Sequence, residues 1–328
     1  MSGGLLLFIV RRMMIVPPTL FVILFITFAL TQIAPGDPVR IITGSRAPDP
    51  VIAERIREEF GLNGGFLERF GNYFWGVVSE GDLGPSYFFR SPQRTVQELL
   101  GERIWISAQL GLISLGLTYL IGIPLGIFAA LKRGTWKDPG TISGLMVFDA
   151  IHIIVLVQLI IWLSVFVLDD FFNLFGLNIP SLWTPGNAAS YIIPVLVLTL
   201  PGLAGMARFV RVSVLTVMDE EYVRTARAKG LRERTVILRH VIRNAMLPLA
   251  TFFVLSILTV ISGSIFVETL YGIPGVGSFI FRSITQRDFN VLLGITLLLS
   301  TLIVVGNLLT DILYVFIDPR IRYGSRGS

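Results

Sequence analysis

The chain has 328 residues, of which 53% are hydrophobic and 15% charged, with a mean hydropathy of +0.74. About a quarter of the residues of an ordinary soluble domain are charged, so the composition excludes that class and points to an integral membrane protein. The net charge of +5 would suit nucleic acid, but the cations flank apolar runs, where membrane topology accounts for them; the absence of cysteine excludes disulfides and thiolate metal sites.

Apolar stretches at 13–31, 104–131, 142–168, 191–218, 247–270 and 290–317 are each long enough to cross a hydrocarbon core of about 30 Å as a helix. The sequence therefore predicts an all-α integral membrane protein with six transmembrane helices. Its parts are 1–31 (N-terminal end and first helix), 32–103 (an extracytoplasmic segment), 104–318 (a core of helices two to six with a cytoplasmic segment at 219–246) and 319–328 (a tail). The first span follows Arg11-Arg12 and lacks a small-residue cleavage pattern, so it is expected to be retained.

Lys and Arg in the connections set the orientation. Arg11 and Arg12 precede span one, Lys132, Arg133 and Lys137 lie between spans two and three, and Arg320, Arg322 and Arg326 follow span six. Both termini and both basic loops are thus expected on the cytoplasmic side. The segment 32–103 carries eight Arg against ten Asp and Glu, and its 51–60 stretch reads as a short amphipathic helix stopped by Gly61. It is either a solvated cap or a docking surface for an external partner.

Polar residues within spans are costly and so invite a role. Asp149 and His152, three apart on one face of span three, with Gln158 further along and Glu268 near the outer end of span five, line either a translocation path or an interhelical contact, whereas Asn307 and Asp311 of span six read as helix-to-helix hydrogen bonding. Pro194, Pro201, Gly202 and Gly205 weaken span four, where Pro201 is a candidate hinge and Met206 and Phe209 are candidate gate residues.

Between spans four and five, "DEEYVRTARAKGLRERTVILRHVIRNAMLP" holds seven cations. Asp219 is a candidate N-cap, Glu220 and Glu221 suit the first turn of a helix, Arg227 and Lys229 suit its last, and Gly230 suits a left-handed stop. A second helix is expected at about 232–245, ending before Pro248. Val223, Ala226 and Gly230 fall on one face of the first helix. The pair of helices is either an anchor on anionic lipid or a docking element for another protein.

No Gly-x-x-x-x-Gly-Lys-Ser/Thr cradle occurs, so the chain has no ATP site of its own to power transport. There is no nucleophile elbow, and His152 and His240 are the only histidines; no catalytic residue and no metal site is expected.

"RTARAKG" (Arg224–Gly230), with His240 beyond it, resembles the cytoplasmic loop of ATP-binding-cassette (ABC) importer permeases. More narrowly, "RRMMIVPPTLFVILFITFALTQIAPGDPV", "GDLGPSYFFRSPQRTVQELLGERI", "GIPLGIFAALKRGTWKD", "ETLYGIPGVGSFIFRSI" and "RDFNVLLGITLLLSTLIVVGNLLTDILYVFIDPRIR" are together similar to the B-type permease subunit of dipeptide and oligopeptide importers. The chain departs at Arg224-Thr225, where the general pattern has Glu-Ala, and at Arg243, where it has proline; "DAIHIIVLVQ" lacks the Ser-x-Pro kink frequent in span three.

The resemblance implies a type I ABC importer permease architecture in a prokaryotic inner membrane, with the insert between helices one and two. It implies half of a translocation pathway for short peptides, or for another solute such as an oligosaccharide or nickel. The implied partners are a second, homologous permease subunit, two cytoplasmic ATPase subunits that hold ATP and Mg, an external solute-binding protein and membrane lipids, with no nucleic acid. A coupling helix would engage the ATPase through Glu221, Tyr222, Arg224, Thr225, Ala226, Gly230 and Leu231. The rival classes are a secondary transporter, which would be expected to show inverted repeats, and a non-transporting scaffold or receptor.

Overall fold

The computed structural model describes residues 3–34, 36–44, 47–90, 93–168, 174, 176, 178–246, 248, 249, 253, 256 and 263–317. The expected fifth span, 247–270, is described only in part, and the tail 319–328 and the Asp311 side chain lie outside the described residues. The described chain is mainly helical and divides into two compact units, one of 1–106 with 274–312 and one built on 107–273.

In the first unit, α1 (Gly3–Ile33) runs unbroken through Pro17 and Pro18. Two short helices follow, α2 (Pro38–Thr43) and α3 (Pro50–Glu59), each opened by an aspartate whose carboxylate accepts a backbone N–H, Asp37 from Val39 and Asp49 from Val51. Val39, Ala53 and Ile56 bury a small shared core between them. The helix expected at 51–60 is thus present, and Gly61 follows it at φ 59°.

Helix α4 (Phe66–Glu80) sets Phe66, Phe70 and Phe74 against Phe21, Phe25 and Phe28 of α1, with ring centroids 5.1 Å apart for Phe25–Phe70, 5.2 Å for Phe21–Phe74 and 5.7 Å for Phe28–Phe66. Edge-to-face geometry of this kind adds to simple burial.

A two-stranded hairpin, β1 (Pro85–Arg90) and β2 (Gln93–Thr95), leads into α5 (Val96–Leu131). That helix was expected from 104; it begins at Val96 because Val96, Leu99 and Leu100 bury against Val276, Phe279, Val291 and Ile295. These last four belong to α12 (Val276–Gln286) and α13 (Phe289–Ile317). Between those helices Asp288, 2% exposed, accepts from the Ser86 hydroxyl (2.6 Å), the Tyr87 N–H (3.0 Å) and the Val291 N–H (3.3 Å). The hairpin is therefore tied to a carboxyl group 202 residues from Ser86 in sequence, and Asn290 beside it donates to the Pro85 carbonyl (2.9 Å).

In the second unit, α6 (Lys137–Ala150) packs along α8 (Ile192–Met218), and Arg211 grips the buried Asp138 through two bonds of 2.5 and 2.7 Å. Where α5 meets α8, a Cβ on Gly126 would lie 2.6 Å from the Ala207 carbonyl oxygen, so this crossing requires glycine. Span three, expected as one helix over 142–168, is broken instead. Helix α7 (Ile153–Leu163), with a π-helical extension Ser164–Leu168, turns 97° from α6. Ile151 is extended, and His152 caps the new helix by accepting the Ile154 N–H at Nδ1 (3.4 Å). The bend thus uses an imidazole cap in place of proline.

Among the described residues four helices are long and apolar enough to cross a membrane: Ile9–Ile33, Val96–Leu131, Ala188–Met218 and Phe289–Thr310. The bent pair Lys137–Ala150 and Ile153–Val167 makes a fifth if it is one span.

Candidate functional site

The basic segment folds as two helices on a common apolar footing. Helix α9 (Glu221–Ala228) follows α8 directly; Asp219 closes α8 as its C-cap, and Glu220, not the expected Asp219, occupies the N-cap of α9. The α8 backbone carbonyls already take the Asp219 N–H, which fixes that residue in the helix it ends. At the other end the Leu231 N–H reaches the Ala226 carbonyl (3.4 Å) across Gly230 at φ 75°, the Schellman arrangement that a glycine in the left-handed region permits.

The second helix, α10, spans 233–245 and is π-helical over Val236–Ile242. The wider turn brings Val236 and Val241, five apart, onto one side with Ala245. These three bury with Val223 and Ala226 of α9, Val210 and Val214 of α8, and Ala130 of α5. Ala226 was expected on the surface that a partner meets; it lies inward, 6% exposed, and its small side chain serves the chain's own packing.

The opposite face of α9 is open. Glu221, Tyr222, Arg224, Thr225, Gly230 and Leu231 are all exposed, with Tyr222 at 41% and Leu231 at 42%. Polar bonds run along the same side. Asn244 donates to the Tyr222 hydroxyl (2.8 Å) and to the His240 carbonyl (3.0 Å), and Arg227 meets Glu233 through two bonds (2.8 and 3.2 Å). That pairing holds the Arg227 guanidinium above and the Glu233 carboxyl below their ordinary values, in each case through the shared hydrogen bonds first. The result is a platform presenting an aromatic, a leucine and mixed charges to the surroundings.

Farther along α8, the unit encloses a cavity of about 390 Å³ lined by Ser107, Ser114, Thr118, Met206, Ser264 and Glu268 among others. Met206 thus faces this space, while Phe209 packs on the apolar footing of the basic segment, and α8 passes Pro201 as continuous helix. Glu268, in α11 (Ile265–Tyr271), is fully buried; its Oε1 accepts from the Ser107 hydroxyl (2.8 Å) and the Ser264 N–H (3.2 Å).

Asp149 and His152 are both exposed and fall on either side of the 97° bend, so they do not share a helical face; the His152 ring instead meets Phe266 edge-on at 6.3 Å. Neither lines the cavity. Asn307 is exposed beside Arg12 and Thr19 in the first unit. Glu268, legible in the sequence as a polar residue near the outer end of the fifth apolar stretch, is placed by the structure on the lining of the cavity.

Residues 122–323 match the family model described as binding-protein-dependent transport system inner membrane component, and residues 5–92 match the model of the N-terminal part of such membrane components. The chain belongs to this family. It is 35% identical to the dipeptide transport system permease protein DppB of Escherichia coli (strain K12), over 97% of this chain and 99% of that protein. It is 32% identical to the oligopeptide transport system permease protein OppB of Salmonella typhimurium (strain LT2), over 97% and 100%. A solved inward-facing MetNI methionine ABC transporter chain shares the fold at TM-score 0.53 and 17% identity, covering 67% of this chain and 96% of that one. The family assignment sets aside the secondary-transporter and scaffold readings. Among the described residues no group of His, Cys, Asp or Glu is arranged to hold a metal ion.

Proposed function

We propose that this chain is one of two permease subunits of an ATP-driven importer and forms half of the path by which short peptides, delivered by an external solute-binding protein, enter the cell. The peptide substrate is supported by near full-length similarity to proteins named as dipeptide and oligopeptide permeases. In this reading the chain crosses the inner membrane six times with both ends in the cytoplasm, and the segment between helices one and two lies outside. ATP and Mg reside on two cytoplasmic ATPase subunits.

The observation that carries the reading is the open face of α9. A short helix locked to α8 by buried apolar contacts, yet exposed along Glu221, Tyr222, Arg224, Thr225, Gly230 and Leu231, can receive the push of an ATPase subunit and pass it to a membrane helix without deforming. Its flanking cations would steer an acidic partner surface. In the same reading Pro201 is the hinge of α8, Met206 and Phe209 are gate residues beside it, and Asp149 and His152 line the path.

The test is a mild-detergent pulldown of the tagged chain from its native membranes, comparing wild type with Gly230→Asp. An aspartate tolerates the left-handed backbone better than most residues, so the platform survives while its surface gains a negative charge. Recovery of a second permease and two ATPases with wild type, and loss of the ATPases with the variant, is expected. Absence of any nucleotide-binding subunit from both samples rejects the importer reading. Two uptake assays probe the lesser roles: Pro201→Ala should uncouple ATP use from uptake, and replacing Asp149 and His152 together by Leu should change uptake without loss of assembled protein.

A further inference from the structure

The first unit holds a cavity of its own, about 430 Å³, formed by the end of α1, the end of α3, one face of α4, the approach to β1 and the start of α13. The volume lies in the range of small-molecule sites, roughly 300–1,000 Å³. Its lining carries both signs of charge: Arg57 and Arg69 against Asp37 and Asp82.

Most of these groups already have work. Asp37 Oδ1 accepts the Val39 N–H (3.0 Å), Asp82 Oδ1 accepts the Gly84 N–H (2.9 Å), and Arg57 meets Glu54 (3.4 Å). Two do not. Arg69 Nε and the Tyr73 hydroxyl are buried and have no hydrogen-bond partner among the described residues. Separated by four residues on α4, they fall on the same face, so one acceptor can serve both. A buried guanidinium N–H and a buried phenol need an acceptor that the cavity can supply, from water or from a ligand that displaces it.

Both charges reach this space. The Tyr73 hydroxyl titrates above its ordinary value, through burial first and the negative charge of Asp82 next. The Tyr87 hydroxyl, raised by burial and by Asp288, is drawn the other way by Arg69. An anion on the Arg69 guanidinium and a cation toward Asp82 would each meet an opposite charge, while Tyr73, which feels the negative Asp82, would serve the anion as a neutral hydroxyl donor.

We propose that this cavity binds a small zwitterion, its carboxylate on Arg69 and Tyr73 and its ammonium toward Asp82, and that the ligand is a dipeptide. The assignment to a peptide rests on the substrate reading above; the site itself rests on the cavity. A phosphoethanolamine lipid headgroup carries the same pair of charges, so the test separates the two sources.

The purified complex in detergent is titrated with dialanine, with N-acetyl-dialanine amide as the uncharged analogue and with glycerophosphoethanolamine, following the unfolding temperature and heat of binding. Dialanine is expected to bind saturably and the uncharged analogue not to bind. Arg69→Met should weaken dialanine at least tenfold and Tyr73→Phe several-fold, while the unliganded stability of Tyr73→Phe stays level or rises, since that hydroxyl has no partner to lose. Wild-type affinity in both variants, or equal binding of the uncharged analogue, overturns the inference. Tighter binding of glycerophosphoethanolamine than of dialanine overturns the peptide assignment. Uptake into vesicles is measured in parallel: a complex that transports dialanine yet shows no saturable binding lost with Arg69 and Tyr73 rejects this site and leaves the transport reading intact.

Discussion

The hairpin of the first unit and the basic segment of the second are both short excursions attached to long apolar helices, and they are fastened by opposite means. The hairpin Pro85–Thr95 hangs on Asp288, a buried carboxyl group that gathers a hydroxyl and two backbone N–H groups. The α9–α10 platform rests on Val223, Ala226, Val236, Val241 and Ala245, with its polar bonds on the exposed side. Directional bonds fix a register and fail as a set when the acceptor goes, whereas an apolar footing tolerates small trims and yields in proportion to what is removed. The second kind suits the proposed coupling role of α9, which would have to stay seated while it moves.

The comparison is tested most severely at Asp288. Replacement by Ala leaves the Ser86 hydroxyl and the Tyr87 and Val291 N–H groups buried without their acceptor, and should cost about 3 kcal/mol. Hydrogen exchange should speed up through 85–95 and leave α9 protected. Next comes Val223→Ala, which opens a void in a fully buried position and should cost about 2 kcal/mol. Its signature is weaker retention of ATPase subunits with normal exchange in the hairpin; a hairpin response to Val223, or an α9 response to Asp288, would break the contrast.

The apolar runs, the Gly230 stop and the Arg227-side cations were legible in the sequence because each acts through neighbours a few residues away. Helix α4 was equally local, its Phe66, Phe70, Tyr73 and Phe74 spaced for one helical face, but Gly71 and Gly76 interrupt the pattern and hid it. What no local pattern could give were partners across long sequence distances. Asp288 finds Ser86, Glu268 finds Ser107, and Val96 finds Val276 only once the chain is folded. The same holds for the direction of Ala226. Periodicity put it on a face with Val223, and only the positions of Val236 and Val241 show that this face turns inward. The break at His152 was concealed because the residue that makes it is an ordinary polar side chain, with no proline to announce a bend.

A pH experiment sharpens the contrast with a smaller expected effect. Burial raises the Asp288 carboxyl above its ordinary value, against the opposing pull of the Ser86 hydroxyl and the backbone N–H groups around it. The folded hairpin therefore binds that proton more tightly than the unfolded chain does. The stability this group contributes is full below its unfolded value, about pH 4, and is lost as pH rises through the folded value. Protection of the hairpin, corrected for intrinsic exchange, should fall over that rise, and Asp288→Asn should flatten it while the platform shows no matching change.

The smallest effect is expected where the contacts look strongest on paper. Arg227 and Glu233 make two bonds of 2.8 and 3.2 Å, yet their side chains are 36% and 56% exposed, so solvent and salt compete with the pair. Arg227→Gln should cost about 0.5 kcal/mol, and less as salt is added. The apolar footing beneath is untouched by this change, so α9 should remain protected from exchange. A loss of 2 kcal/mol or more would mean that the platform is held, like the hairpin, by its polar bonds, and the difference between the two fastenings would disappear.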